Sequence, residues 1–354
     1  MDELVDCIVQ ELKLSSETGR EGTLGSLYLG GGTPSLLTPK HLDKILTAAH
    51  QYFPFRKDPE ITMECNPDDL NRETLRSLHL GGINRLSIGV QSFQQRDLEL
   101  MRRSHTIEQA SQAIVEAAEE GFDNITIDLI YGIPGQTSKE WELNLKQAFS
   151  LPVTHLSAYH LTFEPGTVFD HWRKKGKITE VTEELSITQY SLLRQLTGAE
   201  GFEHYEISNF ARDERYSAHN LLYWSGESYL GVGPSAHSYH GTRRSWNVAS
   251  LKKYMESLQQ GNPFRESETL TVTEQYHDVL ITKLRTRWGV DPLFLEARFG
   301  TKYRQWFDQK ATTFISRGVM HRMGKMVAIH PDQWFISDHI FRELFIDPGY
   351  KTFH

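Results

Sequence analysis

Glycines, carboxylates, one glutamine and one arginine recur between residues 30 and 128 at intervals that could build a ligand site. Ser26-Leu27-Tyr28-Leu29 runs directly into Gly30-Gly31-Gly32-Thr33-Pro34-Ser35. Consecutive glycines after a strand let backbone approach a ligand closely and take dihedrals closed to other residues. The hydroxyls and N–H groups that follow can meet a polar or charged group. The run lacks the lysine of a P-loop and the spaced glycines of a dinucleotide fingerprint. Glu64, Gln91 and Asp128 each lie at or near the end of a later strand-like stretch, and Arg103 follows Gln91. A carboxylate can grip a diol through paired hydrogen bonds, and an arginine can clamp a carboxylate bidentately. The set therefore suits a ligand bearing an ammonium, a carboxylate and a diol, such as an amino acid joined to a nucleoside. Each residue also has a structural explanation: Glu64 as a turn cap with Asn66, Gln91 on a loop backbone, Asp128 holding a helix. Their recurrence at the ends of successive strands favours the site.

The elements that must position them follow from periodicity. Residues 2–14 read as a helix with Leu4, Val5, Ile8 and Leu12 on one face. Strands are expected at 26–29, 60–67, 83–90, 124–130 and 155–163, and helices at 39–52, 94–103, 106–120 and 138–149, with a further helix capped by Asn71. Alternation of this kind builds β/α units of a parallel sheet. The strands look apolar through their middles, as where both faces are covered. Five units without a dinucleotide fingerprint predict an α/β partial (β/α) barrel, with a flavodoxin-like open sheet as the alternative. In either, the carboxyl ends of the strands share the face on which ligands bind.

After residue 165 the rhythm changes. The domains expected are 1–165 (the partial barrel), 166–265 (a barrel-completing segment dense in aromatics and glycine) and 266–354. The last reads as a smaller α+β, winged-helix-like module, with helices near 273–286, 291–298 and 303–317, two strands within 319–336 and a helix at 337–345.

At 354 residues, with 38% hydrophobic and 24% charged residues, the chain has the composition of an ordinary globular protein with a sizeable core. Its formal net charge of -8 argues against a general nucleic-acid binder. No apolar run reaches the length of a membrane span, so a cytoplasmic location is the default. Cys7 and Cys65 are the only cysteines, too few for a disulfide framework or a thiolate-rich metal site.

Four motifs in order resemble the radical S-adenosylmethionine proteins related to oxygen-independent coproporphyrinogen III oxidase. They are Gly30–Ser35, Glu64-Cys65-Asn66-Pro67, the run from Asn84 to Phe93, and the run from Asp128 to Thr137. Tyr205–Ala211, His219-Asn220-Leu221-Leu222-Tyr223-Trp224 and Gly231–Ser238 are similar to its haem-chaperone subgroup, HemW. The resemblance implies S-adenosylmethionine as cofactor, with Gly31, Gly32 and Thr33 on its methionine part, Glu64, Gln91 and Arg103 around it and Asp128 on the ribose. It implies haem as the second ligand, with His219 handling it and His237 as a weaker candidate, since imidazole is a competent iron ligand.

The partners implied are haem and haem-accepting proteins, some membrane-bound and met peripherally, with a second copy of the chain and no nucleic acid. Delivery of haem is the leading function, and an oxygen-independent coproporphyrinogen III oxidase activity in porphyrin biosynthesis is the alternative. The family also carries an opening strand with a CxxxCxxC loop for a [4Fe–4S] cluster. Two cysteines cannot supply three such ligands, so no metal ligands and no catalytic residues are assigned, and radical activity is not expected of this chain. The intact ligand motifs favour a chain that begins late over a cluster-free descendant. The absent strand leaves the edge of 26–29 open to association.

Overall fold

The alternation of strand and helix folds as expected. In the computed structural model, which describes residues 1–17 and 22–346, seven strands form one sheet. They are β1 (Leu24–Leu29), β2 (Phe55–Cys65), β3 (Arg85–Gln91), β4 (Ile125–Tyr131), β5 (His155–His160), β6 (Glu203–Glu206) and β7 (Asn209–Ala211). Their order is β1-β2-β3-β4-β5-β7-β6. β2 to β5 pair in parallel, while β7 joins β5, and β6 joins β7, antiparallel. This is an α/β, parallel-rich partial barrel.

Local signals place the helices between the strands. Asn71 caps the helix Arg72–Leu80 by accepting from the Thr74 amide at 2.9 Å. Reciprocal capping boxes open Ile107–Glu119 (Thr106 with Gln109) and Ser138–Phe149 (Thr137 with Glu140). Each such cap contributes about 1 kcal/mol. The helix expected across 94–103 stops at Leu100, and Arg102 turns the chain with φ 54°, so Arg103 sits in a turn.

The strands are less uniformly apolar than their middles suggest. Leu86, Ile88 and Val90, Ile125, Ile127 and Leu129, and Leu156 and Ala158 are all buried. The residues between them point to the opposite face. There, Arg85, Ser87, Thr126, His155 and Ser157 are buried as well, and Asp128 is half-buried. One face of the sheet is thus a hydrocarbon core and the other a buried polar lining.

The chain forms two compact units, each built from separated stretches. Ser26–Pro39 with Pro59–Ser217 forms the sheet unit, and Met1–Gly25, Lys40–Asp58 and Ala218–His354 form the second. In the second unit, β8 (His237–His240), β9 (Arg243–Asn247) and β10 (Arg265–Thr269) make an antiparallel sheet that the sequence did not announce. Helices Val272–Leu284, Pro292–Phe299 and Thr301–Ser316 precede a hairpin, β11 (Met320–Met323) with β12 (Met326–Ile329), and a last helix, Ser337–Leu344. The residues expected to complete the second strand, Pro331–Ile336, form a 3-10 turn instead, as the proline at its start favours.

One buried carboxylate ties the second unit together. Glu11, on the helix Asp2–Ser16, is fully buried. It accepts from the Gly233 amide (2.8 Å), Asn247 Nδ2 (2.7 Å) and the Tyr254 hydroxyl (2.5 Å), and pairs with Arg265 Nη2 (2.5 Å). Beside it Cys7 packs with Tyr254 and Leu258.

Candidate functional site at the strand ends

The glycine turn and Glu64 are built around each other. Glu64 Oε1 accepts from the Tyr28 hydroxyl at 2.8 Å, and Oε2 accepts from the Gly31 amide at 3.1 Å. A Cβ on Gly30 would stand 2.6 Å from Tyr28 Cε1 and 2.8 Å from the Glu64 carboxyl. Only glycine fits there. Gly31 has φ +75°, and neither Gly31 nor Gly32 has a heavy atom within 4 Å of where a Cβ would be, so both face open space. Behind the turn, the Ser35 hydroxyl donates to Asp69 Oδ2 at 2.6 Å, and Asn66 Nδ2 donates to the same oxygen. The motif Glu64–Pro67 therefore buttresses the glycine turn as well as facing it.

Gln91 ends β3 at φ 68°, after an irregularity in the β3–β4 register. The left-handed conformation is costly for a residue with a Cβ, on the order of 1 kcal/mol or more. It turns the carboxamide back, so that a Cβ on Gly89 would lie 2.8 Å from Gln91 Nε2. Gly89 is thus the silent partner of Gln91.

Asp128 sits on the polar face of β4, where the Ser87 hydroxyl approaches at 3.4 Å and its register partner Ser157 supplies a second hydroxyl. Burial pushes its carboxyl up to about 6; the Ser157 hydroxyl bond opposes this and the Glu64 charge adds to it. Burial also draws Arg103 below its usual range, opposed by the charges of Asp128 and Asp68.

The structure thus bonds Gly31 to Glu64, folds Gln91 over Gly89 and couples Asp128 electrostatically to Glu64 and Arg103. Thr33 opens the 3-10 turn Pro34–Leu36 without a side-chain cap. Tyr28, Ser87, Ser157 and Gly89 were not singled out from sequence. Tyr28, Ser87 and Ser157 could have been found only from strand register; Gly89, two residues before Gln91, was the nearest to legible. Other motif residues are scaffold. Ser92 and Gln136 both donate to the buried Asp97 (2.9 and 3.0 Å), Asn144 accepts from the Phe93 amide (2.7 Å), and Gln189 accepts from the Gly132 amide (3.0 Å).

In the second unit, His219 lies in the helix Ala218–Ser225, edge-on to Tyr223 at 5.0 Å between ring centroids. Although this helix carries Leu221, Leu222, Tyr223 and Trp224, none of its residues is buried. Tyr223 stacks obliquely on Tyr229 (4.5 Å), and Tyr229 lies 6.1 Å from Tyr239. The Trp224 indole N–H is buried without a partner. His237 is exposed on β8 near Trp246.

The two thiols do not fit an iron–sulfur cluster. Cys7 is enclosed by Tyr254 and Leu258, and the Cys65 thiol, pushed up by burial, points to the Met63 carbonyl at 3.8 Å. Among the described residues no group of three or more His, Cys, Asp or Glu side chains could hold a metal ion.

A parallel partial barrel with polar side chains gathered at its strand ends puts a ligand site where parallel β/α folds build them. Residues 8–148 match the Radical SAM superfamily, and residues 270–330 match the HemN C-terminal domain. Coproporphyrinogen III oxidase (HemN) from Escherichia coli, a radical SAM enzyme, superposes with a TM-score of 0.82 at 23% identity, over 97% of this chain and 83% of that one. The heme chaperone HemW of Bacillus subtilis (strain 168) is 33% identical over 96% of this chain and 90% of its own length. That of Mycobacterium tuberculosis (strain ATCC 25618 / H37Rv) is 32% identical over 94% and 84%. The chain belongs to the HemW heme-chaperone family.

Proposed function

We propose that the protein binds haem and passes it to acceptor proteins, and that it binds S-adenosylmethionine at the strand ends of the sheet unit. The observation that carries the haem reading is the helix Ala218–Ser225, where His219, Leu221, Leu222 and Trp224 are only half-buried and Tyr223 is exposed. A flat apolar macrocycle with a metal centre would cover such a surface and take an imidazole as axial ligand. Relatives named as heme chaperones align along nearly the whole chain, which supports the same reading. Haem titration of the intact chain tests it. His219→Ala should weaken binding at least tenfold and shift the Soret band; an unchanged titration and spectrum would remove His219 from the site.

For the cofactor, the donor set supplies what the ligand needs. Glu64 presents a carboxylate for an ammonium, Arg103 a guanidinium for a carboxylate and Asp128 an acceptor for a ribose diol. In this reading the open backbone of Gly31, Gly32 and Thr33 borders the methionyl part, and Gln91 meets the same ligand. Since two buried cysteines cannot hold a cluster, the 354-residue chain should yield no 5′-deoxyadenosine after iron–sulfur reconstitution and reduction, as read by chromatography. Under this reading the protein acts in the cytoplasm, and two copies associate. Acceptors at the membrane are met peripherally; no described helix is long and apolar enough to cross one. The fold shared with coproporphyrinogen III oxidase supports kinship of architecture, and no observation in the chain favours that reaction over haem transfer.

A further inference from the structure

Below the proposed ligand site, the polar face of the sheet contains a cation that the site itself does not use. Arg85 begins β3 and is only 2% exposed. Its Nη2 donates to the Thr126 hydroxyl. Its Nε lies 3.6 Å from Glu60 Oε2, an ion pair too long to be a hydrogen bond, and Nε has no hydrogen-bond partner. Glu60 therefore pairs with Arg85 by charge without taking up its Nε–H, and in a poorly solvated interior the guanidinium's field reaches further than it would in water.

Register says where that field goes. Arg85 and Ser87 lie two residues apart on one face of β3, and Thr126 and Asp128 do the same on β4. Ser87 touches Asp128, and Thr126 holds Arg85. The guanidinium thus sits one side-chain layer, roughly 7 Å, beneath the Asp128 carboxylate. We propose that Arg85 is a positioning residue for the ligand site: its buried charge keeps Asp128 ionised, and so able to accept from a ligand's hydroxyls. The ligand half of this rests on the S-adenosylmethionine reading; the electrostatic half does not.

The groups that compete for Asp128 come from every neighbouring strand. Glu64 on β2 opposes its ionisation. Tyr28 on β1 is held neutral, chiefly by burial, with Glu64 and Asp128 adding to it, and the Tyr159 phenol on β5 is shifted in the same direction. His155 on β5 is also held neutral by burial and by Arg85. Arg103 adds the one other cation that Asp128 feels from this set, from the turn above. Hydroxyls from Ser87 and Ser157 assist ionisation. Removing Arg85 leaves Arg103 as the one cation named here against Glu60, Glu64 and Asp128.

The test follows the Asp128 carboxyl by 13C NMR across a pH titration of the ligand-free full chain, assigned with Asp128→Asn. In parallel, S-adenosylmethionine affinity is measured by equilibrium dialysis over the same range. Arg85→Gln should raise the Asp128 midpoint by about one unit, and Arg85→Lys should restore most of it. Glu60→Gln should lower the midpoint, and this carries the test if Arg85→Gln does not fold. An Arg85→Gln midpoint equal to that of the intact chain, or a Glu60→Gln midpoint that stays or rises, overturns the proposal. If the NMR midpoint moves and the affinity midpoint does not, Arg85 tunes Asp128 and the assignment of Asp128 to the ligand falls instead.

Discussion

Two groups of carboxylates, one in each unit, do opposite things with the same chemistry. Glu11 has four donors on two oxygens, all at 2.8 Å or less, and no exposed surface. Glu64 accepts two, and Asp128 has two serine hydroxyls, one of them at 3.4 Å, and a carboxyl pushed up by burial. A buried acid with every lone pair used has nothing left for a ligand. Glu64, beside the open backbone of Gly31, and Asp128 keep acceptor capacity that a ligand can take up. Saturation, more than burial or charge, separates scaffold from site in this chain.

The sharpest way to break that distinction is to remove each acid. Glu11→Ala leaves Arg265, Asn247, Tyr254 and the Gly233 amide without their common acceptor, and removing one partner of a buried pair costs about 3–5 kcal/mol. Urea denaturation should show a loss of that size. A loss under about 1 kcal/mol would mean that the cluster is not the clamp its distances describe.

Glu64→Gln should do the reverse: little change in the urea midpoint, and S-adenosylmethionine affinity lowered by about 10–100-fold. A charge-assisted hydrogen bond is worth about 1.5–3 kcal/mol. Isothermal titration reads the second quantity, and equal affinities in the two proteins would take Glu64 out of the site.

Asp128 adds a dependence on pH. Its carboxyl titrates at about 6 in the fold against 3.8 in the unfolded chain, so between those values the folded state holds the extra proton. Stability contributed by this group is present below pH 3.8 and lost as pH rises through 6. Asp128→Asn should therefore raise stability at pH 7.5 by about 1–3 kcal/mol while weakening S-adenosylmethionine binding. At pH 4 the gain should largely vanish. Thermal melts at the two pH values check this, and a variant less stable than the parent at pH 7.5 would place Asp128 with Glu11.

How much of this was legible in the sequence follows the distance over which each interaction acts. The helix caps at Asn71, Thr106 and Thr137 bond residues three apart, and the elements they open stand within a residue or two of expectation. The strand-end residues Gly31, Glu64, Gln91 and Asp128 were legible because parallel β/α units repeat, and each repeat ends at the same face. Arg85 was not, since its meaning depends on the register between β3 and β4. Glu11 was the least legible: its partners lie 222 to 254 residues away, and from sequence it is one polar position on an amphipathic helix. The sheet β8–β10 was hidden for a related reason. Its strands are short and rich in Arg, Ser and His, without a clean alternation of polar and apolar residues.

The smallest expected effect bears on Gln91, which resembles both groups. It is buried and set by the fold, like Glu11, yet it lies at the end of a strand, like Glu64. Its φ of 68° is a conformation in which a glycine would be more comfortable, so the chain retains a strained residue there. If Gln91 were scaffold, Gln91→Gly would lose its contacts and lower stability. If its carboxamide serves the ligand, relief of strain offsets the greater freedom of glycine in the unfolded chain. Stability should then stay the same or rise by up to about 1 kcal/mol, while S-adenosylmethionine affinity falls severalfold. Measured together by urea denaturation and titration, the two signs decide which group Gln91 belongs to. A strained residue whose removal costs binding and spares stability is one that the fold keeps for its ligand.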